Sequence, residues 1–94
     1  MKKIYSLKDF KIKNEILHKS KKSIGLCHGV FDLLHLGHIR HFQEAKKKVD
    51  ILIVSLTEDK FVNKGPGRPV FTQFERAECL ASLEIIDYVV ISNE

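Results

Sequence analysis

Three histidines and two glycines fall inside one run of the chain, His28-Gly29-Val30-Phe31-Asp32-Leu33-Leu34-His35-Leu36-Gly37-His38. His35 and His38 are three residues apart, so at the start of a helix they project to the same side. Imidazoles donate hydrogen bonds and can charge near neutral pH. The first N–H groups of a helix add outward-facing donors and a partial positive charge, and phosphates settle there readily. Gly37, between the two histidines, keeps side-chain bulk away from a ligand that approaches the backbone, and Gly29 does the same just upstream. Such donors suit nucleotidyl transfer, in which negative charge grows on the α-phosphate and on the leaving pyrophosphate. Pre-positioned donors lower that barrier by electrostatics and positioning, without a covalent intermediate. One at a time, Asp32, His35 and His38 read as ordinary satisfied polar residues; the set, at this spacing, predicts a nucleotide-phosphate site. The density of His28, His35, His38 and His41 also raises a metal site. Zinc prefers four tight ligands with a supporting shell, and His41 falls one turn further along, towards solvent, so no metal site is expected.

These residues need a strand before them and a helix after them. Residues 23–28 include the apolar run Ile24-Gly25-Leu26-Cys27 and read as a buried strand. Residues 38–49 read as a helix, with Ile39, Phe42, Ala45 and Val49 at spacings of three and four facing a sheet. Asp50–Leu56 is nearly all apolar, as expected of a parallel strand covered on both faces. Strand, helix, strand makes a βαβ unit with a right-handed crossover. Residues 57–63 read as polar and irregular. Lys64-Gly65-Pro66-Gly67-Arg68-Pro69-Val70-Phe71 is a loop with special backbone angles. Thr72 and Glu75 form a capping box that opens a helix to about Leu83, with Phe74, Ala77, Leu80 and Ala81 as its apolar face. Tyr88–Ile91 reads as a further buried strand. Upstream, Leu7, Phe10, Ile16 and Leu17 give a rough helical stripe over Ser6–Lys19 with Ser6 as N-cap. The division expected is a lysine-rich helical segment, 1–22, and an α/β unit, 23–94. The fold class predicted is a Rossmann-like three-layer α/β/α arrangement on a parallel sheet, small and open at one edge.

Composition bounds the function classes. The 94 residues suffice for one small domain. Hydrophobic residues make up 44% and charged residues 30%, a globular balance rather than a disordered one. The net charge of +4 comes in part from the runs Lys2-Lys3, Lys21-Lys22 and Lys46-Lys47-Lys48. Those runs lack interleaved aromatics and match no recognised nucleic-acid module, so nucleic acid is not expected as a partner. No apolar stretch is long enough for a signal peptide or a membrane span. Two cysteines, Cys27 and Cys79, read as small buried thiols and suit a reducing, cytoplasmic setting.

The run Gly29-Val30-Phe31-Asp32-Leu33-Leu34-His35-Leu36-Gly37-His38 resembles the signature of the cytidylyltransferase-like nucleotidyltransferases, a Rossmann-like superfamily with a His-x-Gly-His motif. Lys64-Gly65-Pro66-Gly67-Arg68-Pro69-Val70 is similar to the loop of the sugar (heptose 1-phosphate) adenylyltransferases. Glu75-Arg76, Leu80-Ala81-Ser82-Leu83 and Asp87-Tyr88-Val89-Val90 resemble the helix and strand that follow. The resemblance covers roughly residues 23–92. It implies that His35 and His38 bind the nucleotide phosphates and stabilise the transition state, and that Lys64 reaches the phosphates from its loop. Gly29, Val30 and Phe31 would supply backbone contacts to the nucleotide. Arg68 would reach phosphate or anchor its loop, and Arg76 would contact phosphate or, as is favoured, brace the loop. Asp32 would hold the acceptor side of the pocket or the turn itself. His28 stands where relatives more often carry a small or amide residue, so it either contacts substrate or caps the strand. Thr57, Glu58 and Asp59 lie where open α/β sheets bind ligands.

The resemblance further implies an NTP, ATP by the loop or CTP by the glycerol-phosphate relatives, and a sugar- or polyol-phosphate acceptor. Mg²⁺ is expected to arrive with the nucleotide. Relatives are often dimers, which makes a homodimer the assembly to test for. The family's later Ser-Thr-type motif, which contacts triphosphate and base, has no match in residues 1–94. That keeps a second function in play: a non-catalytic nucleotide-binding or assembly module, or a piece of a larger bifunctional enzyme.

Overall fold

The computed structural model describes residues 2–63 and 65–93. Four parallel strands, β1 (Ile4–Ser6), β2 (Ile24–Gly29), β3 (Ile51–Thr57) and β4 (Tyr88–Ser92), form one sheet in the order β1-β4-β3-β2. Between them run α1 (Leu7–His18), α2 (Leu36–Lys46) and α3 (Gln73–Ala81), with a short 3₁₀ turn at Asp59–Phe61. The chain moves from β2 through β3 to β4 in one direction across the sheet, with α2 and α3 on one face. The step from β1 to β2 runs the other way. A crossover of the same hand must then lie on the opposite face, and α1 does. The three-layer α/β/α fold follows.

Each face has its own core. Phe42 of α2 and Ala77 and Leu80 of α3 pack on Leu52, Val54, Leu56 and Val89. Phe10 and Leu17 of α1 pack on Ile51, Ile53, Tyr88 and Val90, where Tyr5, Phe10 and Tyr88 meet with ring centroids 5.3–6.0 Å apart. All seven residues of β3 are buried, as a strand covered on both faces requires.

Several expectations change. Residues 4–6 add a strand to β4, too short to carry a periodic signal. Ser6 caps α1 as expected, accepting from Asp9 N–H, but Leu7 and Ile16 stay exposed and only Phe10 and Leu17 are buried. On α3 the capping box forms, yet Phe74 is 69% exposed and Arg76 takes the inward position. Cys79 lies on the exposed side of the same helix. The helix after the histidine motif begins at Leu36, so His35 is itself the N-cap. No described helix is long and apolar enough to cross a membrane.

Candidate active site

A cavity of about 380 Å³ opens at the carboxyl end of β2, lined by residues that include His28, Gly29, Val30, His35 and His38. Among the described residues β2 pairs with β3 alone, so the cavity sits at a sheet edge beside the start of α2.

His35 and His38 lock each other. The Gly37 N–H donates to His35 Nδ1 at 3.0 Å and the His35 N–H donates to His38 Nδ1 at 3.1 Å. The two rings stack with centroids 3.8 Å apart. Because each Nδ1 accepts a backbone proton, the neutral rings carry their own proton on Nε2. Two stacked imidazoles with fixed orientation thus stand at the positive end of a helix.

The glycines act through this packing. A Cβ on Gly37 would come 2.8 Å from Cε1 of His35, and one on Gly29 would come 2.8 Å from Cζ of Phe31. Gly37 therefore makes room for the His35 ring itself. Phe31 has φ of 56°, a left-handed conformation that a bulky residue adopts only when its surroundings hold it. Its ring is buried, edge-on to His38 at 5.2 Å and to Phe42 at 5.4 Å. The Phe31 side chain thus buttresses the second histidine.

Of the two roles expected for Asp32, the acceptor side of the pocket or the turn itself, its hydrogen bonds fit the second: it anchors a loop. Its side chain is fully enclosed. The carboxylate accepts from the Val70 and Phe71 N–H groups at 2.6 and 3.1 Å and from Arg68 Nε at 3.1 Å. A second Arg68 nitrogen donates to the Asp32 carbonyl. Burial pushes the Asp32 carboxyl up, but these donors outweigh it and hold the group below its ordinary value. Arg68 is paired with Asp32, the contact that anchoring the loop requires.

Arg76 is 2% exposed and braces the site from beneath. Its guanidinium donates to the carbonyls of Phe71, Val30 and Thr57 at 3.0, 2.9 and 2.8 Å, and to Asp59 at 2.6 Å. It ties the end of β2, the end of β3 and the loop into one unit, the arrangement that the bracing role calls for. Asp59 is occupied by that pair, while Thr57 presents its hydroxyl 3.4 Å from His28 Nε2. Burial pushes the Cys27 thiol up from its ordinary value, which keeps it protonated beside the cavity. Lys64 lies outside the described residues.

The sequence of residues 26–94 matches the model of the cytidylyltransferase-like family. The chain belongs to the cytidylyltransferase-like family. Its curated relatives include the bifunctional protein HldE of a Nitratiruptor species, 47% identical over 93 residues, covering 94% of this chain and 20% of that protein. The bifunctional protein HldE of Aliarcobacter butzleri is 46% identical, covering 83% of this chain and 17% of that one. This cytidylyltransferase-like chain thus spans about a fifth of the length of those relatives. Among solved structures, the lipopolysaccharide core biosynthesis protein from Thermoplasma volcanium superposes with a TM-score of 0.69 at 31% identity, covering 76% of this chain and 58% of that one.

The buried polar partners were the part that sequence reasoning missed. Ser55, a hydroxyl inside the apolar run Ile51–Leu56 of β3, lies 2.6 Å from His28 Nδ1. A polar side chain inside a buried apolar strand was the available signal. Nothing local marks Asp59 as the partner of Arg76.

Proposed function

We propose that this chain carries the nucleotidyl-transferring site of a sugar-phosphate nucleotidyltransferase. A phosphate oxygen of the acceptor attacks the α-phosphate of an NTP. A new P–O bond forms at that phosphorus, its bond to the β-phosphate oxygen breaks, and pyrophosphate leaves with the electron pair. The products are a nucleoside-diphospho-sugar and pyrophosphate.

The observation that carries the reading is the mutual lock of His35 and His38, which holds two stacked imidazoles in a fixed orientation at the start of α2. Charge that develops on the α-phosphate and the leaving group meets donors that need no reorganisation. Asp32 and Arg68 hold the loop of residues 65–71 against the site, and Arg76 fixes the backbone of Val30 and Thr57. Gly29, Val30 and Phe31 line the cavity, where their backbone would meet the nucleotide. Lys64 would reach the phosphates from the same loop.

Among the described residues no group of three or more His, Cys, Asp or Glu side chains could hold a metal ion. Asp32 and Asp59 are both taken by arginines. On this reading Mg²⁺ enters on the triphosphate and would neutralise the β- and γ-phosphates.

The 64–70 loop resemblance and the bifunctional relatives favour ATP and heptose 1-phosphate, in the cytoplasm where NTPs are made. The test is a panel of four NTPs against heptose 1-phosphate and glycerol 3-phosphate, read as pyrophosphate release. Turnover with ATP and heptose 1-phosphate is expected. NTP binding without turnover on any acceptor would favour a non-catalytic module.

A further inference from the structure

His28 lines the cavity but has no part in the His35–His38 lock. Side chains alternate along β2, which puts Ile24, Leu26 and His28 on the face that α1 covers. They are in register with Ile51, Ile53 and Ser55 of β3, and Thr57 is in register with Ser92 of β4. The first two rows of this face are apolar. At the carboxyl end it turns polar, with His28, Ser55, Thr57 and Ser92 together. The three hydroxyl residues are buried, and His28 is exposed.

Both ring nitrogens of His28 meet hydroxyls of one strand. Nδ1 lies 2.6 Å from Ser55 Oγ and Nε2 lies 3.4 Å from Thr57 Oγ1. A buried hydroxyl is costly unless paired, by about 1–3 kcal/mol on mutational scales. The ring satisfies Ser55 and lies beside Thr57. Ser55 holds Nδ1 with a short contact, and the longer 3.4 Å approach of Thr57 leaves Nε2–H able to turn to an incoming anion. The result is an exposed imidazole with a fixed orientation at the strand end, where open α/β sheets bind ligands.

A displacement between two phosphorylated substrates needs two anion-binding groups in one cavity. The His35–His38 lock supplies one. We infer that His28 supplies the other: it contacts the phosphorylated, polyhydroxylated acceptor, and Ser55 and Thr57 are its positioning residues. This assignment rests on the nucleotidyl-transfer reading.

The test is histidine ring ¹H–¹⁵N NMR of the labelled chain, titrated separately with heptose 1-phosphate and with Mg²⁺–ATP. Heptose 1-phosphate is expected to shift the His28 ring nitrogens saturably. Ser55→Ala is expected to weaken heptose 1-phosphate binding about tenfold and ATP binding less than twofold, as the loss of one well-placed hydrogen bond implies. Ser55→Thr, which keeps the hydroxyl, is expected to restore acceptor affinity; a purely structural role for Ser55 would not sort the two ligands this way. The assignment is overturned if the His28 ring stays still at saturating acceptor, if no acceptor binds, or if His28 follows ATP instead. A cradle that fails to respond to ATP at His35 and His38 would instead overturn the nucleotidyl-transfer reading, so the two failures are distinguishable.

Discussion

Replacing Asp32 with alanine is expected to release the loop of residues 65–71 and to lower stability by about 3–5 kcal/mol, the usual cost of removing one partner of a buried pair. The magnitude follows from what the carboxylate holds. It accepts two backbone N–H groups and the Arg68 guanidinium while fully enclosed. Hydrogen bonds to a charged group contribute about 1.5–3 kcal/mol each. Arg68 is 30% exposed and rehydrates, so its share is discounted. The Val70 and Phe71 N–H groups remain. Phe71 is 44% exposed, so the loop can swing out and recover water, which keeps the total at the lower end. For a domain of this size each kcal/mol moves the melting point by about 4–8 °C. A drop of at least about 12 °C is expected, with protease cleavage appearing first between residues 62 and 72. Asp32→Asn keeps the shape, loses the charge and turns an amide donor towards a donor, so it falls between wild type and alanine. The pH dependence has a definite sign. The folded carboxyl sits below its ordinary 3.8, so its contribution is complete above that value and is lost as pH falls through the lower folded one. Asp32→Asn removes that acid limb. A melting point for Asp32→Ala within about 3 °C of wild type, with an unchanged cleavage pattern, would refute the anchor.

Gly37→Ala places a methyl 2.8 Å from the His35 ring, while alanine is the better helix former by about 1 kcal/mol. Pyrophosphate release is expected to fall about tenfold or more with a melting point close to wild type, because the lost His35 cap offsets the gain in helix propensity; paired measurement of rate and melting checks both. Arg76→Lys cannot span three carbonyls and a carboxylate. It is expected to lose about 2–3 kcal/mol in urea unfolding, and an unchanged midpoint would contradict the brace.

The fold was legible where the signal is periodic or local. The apolar run of β3, the three-and-four spacing on α2 and the Thr72–Glu75 capping box each need only a few neighbouring residues. The His35–His38 pair was legible for the same reason, since its lock closes within one helical turn. Long-range partners were not. Asp32 and Val70 are 38 residues apart, and Arg76 and Val30 are 46 apart. No local pattern says that an aspartate in a turn will accept from a distant loop, or that an arginine rather than Phe74 will take the inward side of α3. β1 was missed because a three-residue strand has no room for a pattern and is created by pairing with β4.

The central claim is that His35 and His38 are the donors of a nucleotidyl-transfer site. Its most direct test is the initial rate of pyrophosphate release with saturating ATP and heptose 1-phosphate, compared among wild type, His35→Ala and His38→Ala. Loss of one pre-positioned donor is expected to cost about 10²–10³ in rate, with each variant still folded by circular dichroism. Transfer at the wild-type rate by both variants, or none by the wild type with any NTP and acceptor, would contradict it.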